Sequence, residues 1–181
     1  MPLNILIIGH GAIAGWVAAQ VGQDADIQIS HVLCRPGREE AAVAAIPGAR
    51  ALSDVADLQD PVDFALECAG HEGLTVHGPA LLVRGIDLGV VSTGAFSDPG
   101  LAERLEDAAR AGGAQVELLS GAIGAMDALS AARQGGLTQV TYTGRKPPVG
   151  WKGSAAEQVL DLEHLEKAEV HFSGTAREAA S

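Results

Sequence analysis

The chain has 181 residues and a formal net charge of −11 at pH 7. That length suffices for one complete domain and part of another. The negative charge argues against a nucleic-acid or anionic-membrane partner, because most of the protein's field would repel phosphate groups. Hydrophobic residues make up 47% of the chain and aromatic residues only 3%. The core is therefore expected to consist of aliphatic side chains, which buried parallel strands favour.

Cysteine and histidine usage indicates neither a disulfide framework nor a metal site. The two cysteines, Cys34 and Cys68, lie in or after apolar strands and lack metal-ligand spacing. They are interpreted as buried, reduced thiols, which indicates the cytoplasm. No metal is predicted, since none of the six histidines pairs with another at zinc spacing. No secretory signal is expected, and no segment reaches membrane-spanning length.

The first elements form a βαβ pattern around a glycine-rich turn. An apolar strand that begins at Leu3 runs directly into the sequence Gly9-x-Gly11-x-x-Ala14. A helix is predicted from Ala12 to about Gln23, and a second strand from Ile27 to Leu33. In this arrangement the first glycine permits a tight turn, the second lets the backbone approach a pyrophosphate, and the small third residue lets helix and strand pack closely.

This context predicts a dinucleotide site at the N-terminus of the first helix. A glycine turn in another kind of α/β protein is the less favoured alternative. The cofactor contacts expected in this turn are Gly9, Gly11, Ala12 and Ile13.

Strand-like and helix-like segments go on alternating as far as Leu119. The pattern predicts a doubly wound parallel sheet of about five or six strands, the Rossmann arrangement. The further strands are expected at Arg50–Leu52, Val62–Glu67, Asp87–Val91 and Gln115–Leu119. The further helices are expected at Arg38–Ala45, in a segment that ends at Ala80–Arg84, and from Pro99 to Arg110 with Asp98 as N-cap and Gly112-Gly113 as the stop.

The pattern changes at Ser120–Gly124. This change predicts a boundary between a dinucleotide-binding domain at residues 1–120 and a partial α+β domain for substrate binding or dimerisation at residues 121–181. The elements expected after it are helices at Ala125–Arg133 and Leu162–Ala168, strands at Gln139–Thr143 and Glu169–Ser173, and a helix beginning in Thr175–Ser181.

Two polar loops follow neighbouring strands at the edge where open α/β sheets bind ligands. We expect these loops to flank the nicotinamide, and His71 offers a group that titrates near neutral pH. A cap or turn role for Ser92 and Thr93 is an equal alternative. The expected cofactor contacts are Cys68, Ala69 and Gly70 in the first loop and Ser92 and Thr93 in the second, with His71 near the substrate.

The end of the second strand bears on the choice between NAD and NADP. NAD-selective folds usually place an acidic residue there, but the sequence reads Leu33-Cys34-Arg35-Pro36. Arg35, with Arg38, is suited to pair with a 2′-phosphate. The sequence therefore predicts that NADP is accepted alongside NAD, and a solvated Arg35 is the alternative.

Two later positions are candidates for ligand contact. Ala122 follows the last strand of the predicted sheet at the start of a helix, so we expect it to contact the nicotinamide. Lys146 lies in the basic turn Arg145–Pro148, whose cations are suited to a substrate carboxylate. An exposed basic turn without a ligand is the slightly favoured alternative on physical grounds.

Six motifs occur in order along the chain, at Gly9–Ala14, Glu67–His71, Val90–Gly94, Ser120–Gly124, Tyr142–Pro148 and Gly174–Ala180. In this order they resemble the L-aspartate dehydrogenase family. The resemblance implies oxidation of L-aspartate to iminoaspartate with NAD or NADP, a role in NAD biosynthesis, and a dimer built through the second domain. It also supports the glycine turn and Ala122 as cofactor contacts.

The resemblance also implies that a segment after Ala180 supplies a cofactor-contacting asparagine and a catalytic histidine. Only Ser181 follows Ala180 in this sequence, so neither residue is present. For the 181-residue form we therefore expect cofactor binding with little or no dehydrogenase activity. His71 is a weak candidate to replace that histidine as base. Two alternatives stay open: a non-catalytic NAD(P)-binding module, and a related two-domain reductase such as a homoserine dehydrogenase or dihydrodipicolinate reductase relative.

Overall fold

The computed structural model describes residues 2–121 and 125–180. The chain divides into two compact units, unit 1 (Met1–Gly124) and unit 2 (Ala125–Ser181). Within the described ranges no helix is both long and apolar enough to cross a membrane. The predicted contact at Ala122 lies outside the described residues.

Unit 1 contains a sheet of six parallel strands in the order β3-β2-β1-β4-β5-β6. This order confirms the doubly wound Rossmann fold, whose strand order reverses direction between β1 and β4. The strands are β1 (Leu3–Ile8), β2 (Ile27–Leu33), β3 (Arg50–Leu52), β4 (Phe64–Glu67), β5 (Asp87–Val90) and β6 (Val116–Leu118).

Helices cover both faces of this sheet. Successive side chains of β1 alternate between two apolar clusters, with Leu6 and Ile8 in one and Ile7 in the other. The cluster around Ile7 includes residues of α1 and α2, and the cluster around Leu6 includes residues of α3 and α4. The helices of unit 1 are α1 (Ala12–Val21), α2 (Glu39–Ala45), α3 (His71–Val83) and α4 (Pro99–Gly112).

The ends of α4 confirm the predicted start and stop signals. Oδ1 of Asp98 accepts a hydrogen bond from the N–H of Gly100 at 2.9 Å, and Pro99 occupies the first turn. Gly113 follows the helix in a left-handed conformation with φ of +69°, which glycine adopts without steric cost. Three residues at its ends, Asp98, Pro99 and Gly113, therefore determine where α4 begins and ends.

Unit 2 contains two helices, α5 (Met126–Gln134) and α6 (Ala176–Ala180), and short 3-10 turns at Pro148–Trp151 and Ala155–Gln158. The strands expected at 139–143 and 169–173 and the helix expected at 162–168 are wrong. An extended segment becomes a strand only when a neighbour accepts its backbone hydrogen bonds. Residues 125–180 include no paired strand, and Val170 is 80% exposed.

Candidate functional site

Gly9 lies where β1 ends, at the point where the strand order reverses. Its φ is +93°, and a Cβ added there would lie 2.8 Å from Cβ of Ala69 and 2.9 Å from Cα of Ala69. Its N–H donates to the carbonyl oxygen of Leu33 at 2.7 Å. Both the backbone conformation and the loop after β4 therefore exclude any side chain at this position.

Gly11 is glycine for a different reason, because a Cβ added there would meet no atom within 4 Å. It is the N-cap of α1 and provides no side-chain cap, and the first turn of α1 contains no acidic residue. The N–H groups of Ala12 and Ile13 begin this helix beside the open space. An uncapped helix N-terminus with room for close approach fits the pyrophosphate of a dinucleotide.

The loop after β4 begins at Cys68 and leads into α3 at His71. The carboxylate of Glu67 is fully buried, and its Oε1 accepts hydrogen bonds from the N–H groups of Ala69 at 2.7 Å and Gly70 at 2.8 Å. Gly70 has φ of +85°, which turns the chain sharply before the helix. These contacts fix the backbone that sequence analysis placed beside the nicotinamide.

The loop after β5 contacts the same carboxylate. Ser92 donates its N–H to Oε2 of Glu67 at 2.9 Å and its hydroxyl to Oε1 at 3.0 Å. A Cβ added to Gly94 would lie 3.2 Å from Nε2 of His71, so the imidazole lies against this loop. The structure thus brings the two predicted loops together, while Thr93 is exposed.

The thiol of Cys68 is partly buried beside Glu67. Burial, and secondarily the negative charge of Glu67, raise the pKa of this thiol from the ordinary 9.0 to about 11. The group therefore stays protonated near neutral pH and is a poor nucleophile. A protonated thiol suits packing rather than covalent chemistry, and the contact of Cys68 with the cofactor stays a prediction.

Arg35 lies after the end of β2 and is exposed. Glu39, the first residue of α2, was not among the predicted site residues. Oε1 of Glu39 accepts the N–H of Gly37 at 3.1 Å, so this carboxylate is engaged by the turn itself. Arg38 is the N-cap residue of α2. Binding of the 2′-phosphate of NADP by Arg35 stays a prediction.

Unit 2 contains the predicted substrate residue Lys146. Its Nζ lies 4.6 Å from the centroid of the Trp151 ring, within the range of a cation–π contact. The ring of His171 meets Trp151 edge to face, with centroids 4.4 Å apart. Lys146 therefore has an aromatic neighbour, a feature that the basic turn alone did not predict.

Glu67 belongs to the motif Glu67–His71 but was not among the predicted site residues. The signal was an acidic residue at the end of the otherwise apolar strand Phe64–Glu67. A charged side chain at such a position is rarely buried unless partners satisfy it. The partners are backbone N–H groups and one hydroxyl, which no side-chain pattern reveals.

The fold and the glycine turn define a dinucleotide-binding domain of the Rossmann type. Residues 9–119 match the family model "Homoserine dehydrogenase, NAD binding domain", and residues 127–181 match "Aspartate dehydrogenase, C-terminal". Over 98% of its length the chain is 51% identical to the L-aspartate dehydrogenase of Ruegeria pomeroyi and 50% identical to that of Cupriavidus necator. The chain belongs to the L-aspartate dehydrogenase family. It spans 64% and 68% of the lengths of these two relatives.

One solved structure agrees with this assignment, and another shows the same fold. The aspartate dehydrogenase of Thermotoga maritima aligns with a TM-score of 0.56 at 26% identity, over 74% of this chain and 52% of that chain. A biliverdin reductase from Synechocystis, solved with biliverdin and NADP+, aligns with a TM-score of 0.58 at 18% identity, over 81% of this chain and 49% of that chain. The second similarity concerns the fold alone.

Proposed function

We propose that this chain provides the NAD(P)-binding part of an enzyme that oxidises L-aspartate to iminoaspartate. The observation that carries the proposal is the pairing of a steric glycine at position 9 with an open glycine at position 11, in a chain whose relatives are L-aspartate dehydrogenases. Bound NAD(P) supplies the hydride acceptor, nicotinamide C4. The protein's part is to bind, orient and manage protons.

The residues divide this work by position. Gly9, Gly11 and the first N–H groups of α1 bind the pyrophosphate. The loops after β4 and β5 hold the nicotinamide half of the cofactor at the carboxyl edge of the sheet. Within unit 1, we propose that His71 lies near the substrate amine, and the imidazole's position against Gly94 supports this assignment. Within unit 2, we separately propose Lys146 as a partner for a carboxylate.

A decisive test of the activity uses a chimera. Residues 1–181 replace the matching segment of the Ruegeria pomeroyi relative, and reduction of NAD+ and NADP+ is followed by absorbance with L-aspartate. D-aspartate and L-glutamate are the control substrates. Turnover that depends on L-aspartate supports the proposal. A folded chimera that binds cofactor without turnover contradicts it and supports a non-catalytic module.

We further propose that NADP is accepted alongside NAD through Arg35. Replacing Arg35 with alanine is expected to weaken NADP+ binding about tenfold and NAD+ binding less than about twofold, because only NADP+ carries the 2′-phosphate. Arg110→Ala is the matched control, since it removes the same charge near the end of α4. Equal weakening of both cofactors by Arg35→Ala contradicts the assignment.

A homodimer, a cytoplasmic location and a role in NAD biosynthesis complete the proposal. Exposed apolar side chains in unit 2 support a dimer, since Tyr142 is 68% exposed and Phe172 46% exposed. Two cysteines without a disulfide, Cys34 and Cys68, support a reducing compartment. Sedimentation velocity at micromolar concentration is expected to give a dimer, and a monomer throughout contradicts that part.

A further inference from the structure

Glu67 is a buried carboxylate with no ion-pair partner among residues 2–121 and 125–180. Its side chain is 0% exposed. A buried charge is tolerated only when hydrogen bonds replace the water that it has lost. Glu67 obtains four of them, two from Ala69 and Gly70 and two from Ser92. All four donor groups lie in the loops after β4 and β5.

The loops that Glu67 joins lie in the half of the sheet that meets the nicotinamide side of the cofactor. A Rossmann sheet consists of two mononucleotide-binding halves, and β4 to β6 form the second half. The first half, with the glycine turn, meets the adenosine and pyrophosphate side of the cofactor. The second half therefore meets the nicotinamide side. Glu67 joins the two loops of that second half to each other.

We propose that Glu67 is a positioning residue, whose carboxylate holds the loops after β4 and β5 at the separation that the nicotinamide half of NAD(P) requires. The inference rests on the proposed NAD(P) binding. Three of the four hydrogen bonds come from backbone N–H groups, so the carboxylate fixes the loop backbone itself. A loop that is ordered before the ligand arrives loses less conformational entropy on binding.

The geometry explains why a carboxylate is required. Ser92 donates its N–H to Oε2 of Glu67 and its hydroxyl to Oε1, and Oε1 also accepts the N–H groups of Ala69 and Gly70. Only a group with two accepting oxygens serves every donor. In Glu67→Gln the remaining oxygen, placed at the Oε1 position, still accepts from Ala69, Gly70 and the Ser92 hydroxyl, but the amide nitrogen presents hydrogens to the N–H of Ser92. One of the two hydrogen bonds between the loops is lost and two donors face each other there, while the local turn after β4 is kept.

Glu67→Asp perturbs the same link while keeping the charge. Aspartate side chains accept N–H groups two or three residues ahead in ordinary turns. The shorter side chain therefore keeps Ala69 and Gly70 as donors and withdraws from Ser92. Asp63→Asn is the matched control. Asp63 directly precedes β4, at the end of the strand opposite to Glu67, and its Oδ2 accepts the N–H of Asn4 at 2.7 Å.

The test compares NAD+ with ADP-ribose, which lacks the nicotinamide. Dissociation constants for both are measured by calorimetry on the full chain, with melting temperatures recorded for each variant. Glu67→Gln is expected to weaken NAD+ about tenfold, and Glu67→Asp about threefold, with ADP-ribose changed less than about twofold. Asp63→Asn is expected to leave both ligands unchanged.

Equal weakening of NAD+ and ADP-ribose overturns the inference, because it would show a general effect on the fold. Unchanged binding of NAD+ overturns it as well. If Glu67→Gln does not fold, Glu67→Asp provides the same comparison of the two ligands. Failure of the unmodified chain to bind either ligand would instead contradict the proposed function, so the two outcomes are distinguishable.

Discussion

The strands of unit 1 and the extended segments of unit 2 differ in what their backbones bond to. In unit 1 each of the six strands pairs with a parallel neighbour, and Leu6, Ile7 and Ile8 are at most 1% exposed. In unit 2, residues 139–143 and 169–173 alternate polar side chains with apolar or aromatic ones but have no strand partner within 125–180. Among residues 125–179 only Ala156 and Leu162 are buried.

An apolar pattern therefore predicts a strand only where a neighbouring segment can pair with it. The segments of unit 1 alternate with helices, so each strand returns beside an earlier one. Unit 2 offers its extended segments no such crossover in the described residues. Unit 1 should therefore have a rigid backbone with one defined strand pairing. The extended segments of unit 2 should be open to solvent.

Amide hydrogen exchange measures this difference with the largest expected effect. Peptides from β1, β4 and β5 should exchange at least about 10⁴-fold more slowly than peptides from 139–143 and 169–173, because core amides exchange only through global unfolding. Mass spectrometry of the full chain provides both values. Comparable protection in the two units would contradict the comparison.

Replacing Gly9 with alanine should weaken NAD(P) binding more than about a hundredfold and lower the free energy of unfolding by about 2–4 kcal/mol. The new Cβ would meet Ala69 at 2.8 Å in a left-handed backbone conformation. Gly153→Ala in unit 2 is the matched control, because its φ is +78° but its Cβ would meet nothing within 4 Å. Calorimetry and urea unfolding give the two quantities, and equal effects of the two substitutions would refute the steric argument.

The thiol of Cys68 should react with iodoacetamide about a hundredfold more slowly at pH 8 than an ordinary exposed thiol. Burial and the charge of Glu67 raise its pKa to about 11. The thiolate fraction is therefore small at pH 8 and reaches one half only at a pH near that pKa. A cysteine introduced by Ser173→Cys, on the exposed surface of unit 2, is the reference. Peptide mapping separates the sites, and a midpoint near pH 9 for Cys68 would contradict the burial of the group.

His77 in α3 should give the smallest effect. Burial lowers the pKa of this histidine, and the charge of Asp54 opposes the shift only in part. The unfolded chain then binds more protons than the folded chain between the lowered pKa and the ordinary value of 6.5. The free energy of unfolding should therefore fall as the pH drops through this window. His77→Gln should remove that part of the slope, and an unchanged slope would argue against burial of the imidazole.

Local signals predicted much of unit 1. Asp98, Pro99 and Gly113 act within a few residues, so they mark the ends of α4 in sequence and structure alike. The glycine turn is likewise local, since Gly11 is the N-cap of α1 as the motif requires. Such features depend on neighbours in the chain and are readable from it.

Other features depend on contacts that are distant in the sequence. Glu67 reaches Ser92 across 25 positions, and the donor is a backbone group that every residue but proline has. The contact of Lys146 with Trp151 depends on the fold of the turn between them. The wrong strands of unit 2 share this cause, because strand formation depends on a partner.

We expect the open space beside Gly11 to hold the pyrophosphate of NAD(P). Gly11→Val tests it directly, because φ at this position is −77° and a Cβ would meet no atom within 4 Å, so the fold should accept the side chain. Calorimetric titration with NAD+ and NADP+ is expected to show binding to the unmodified chain and at least about hundredfold weaker binding to Gly11→Val. The melting temperature should be unchanged. Binding to Gly11→Val as tight as to the unmodified chain would contradict the account.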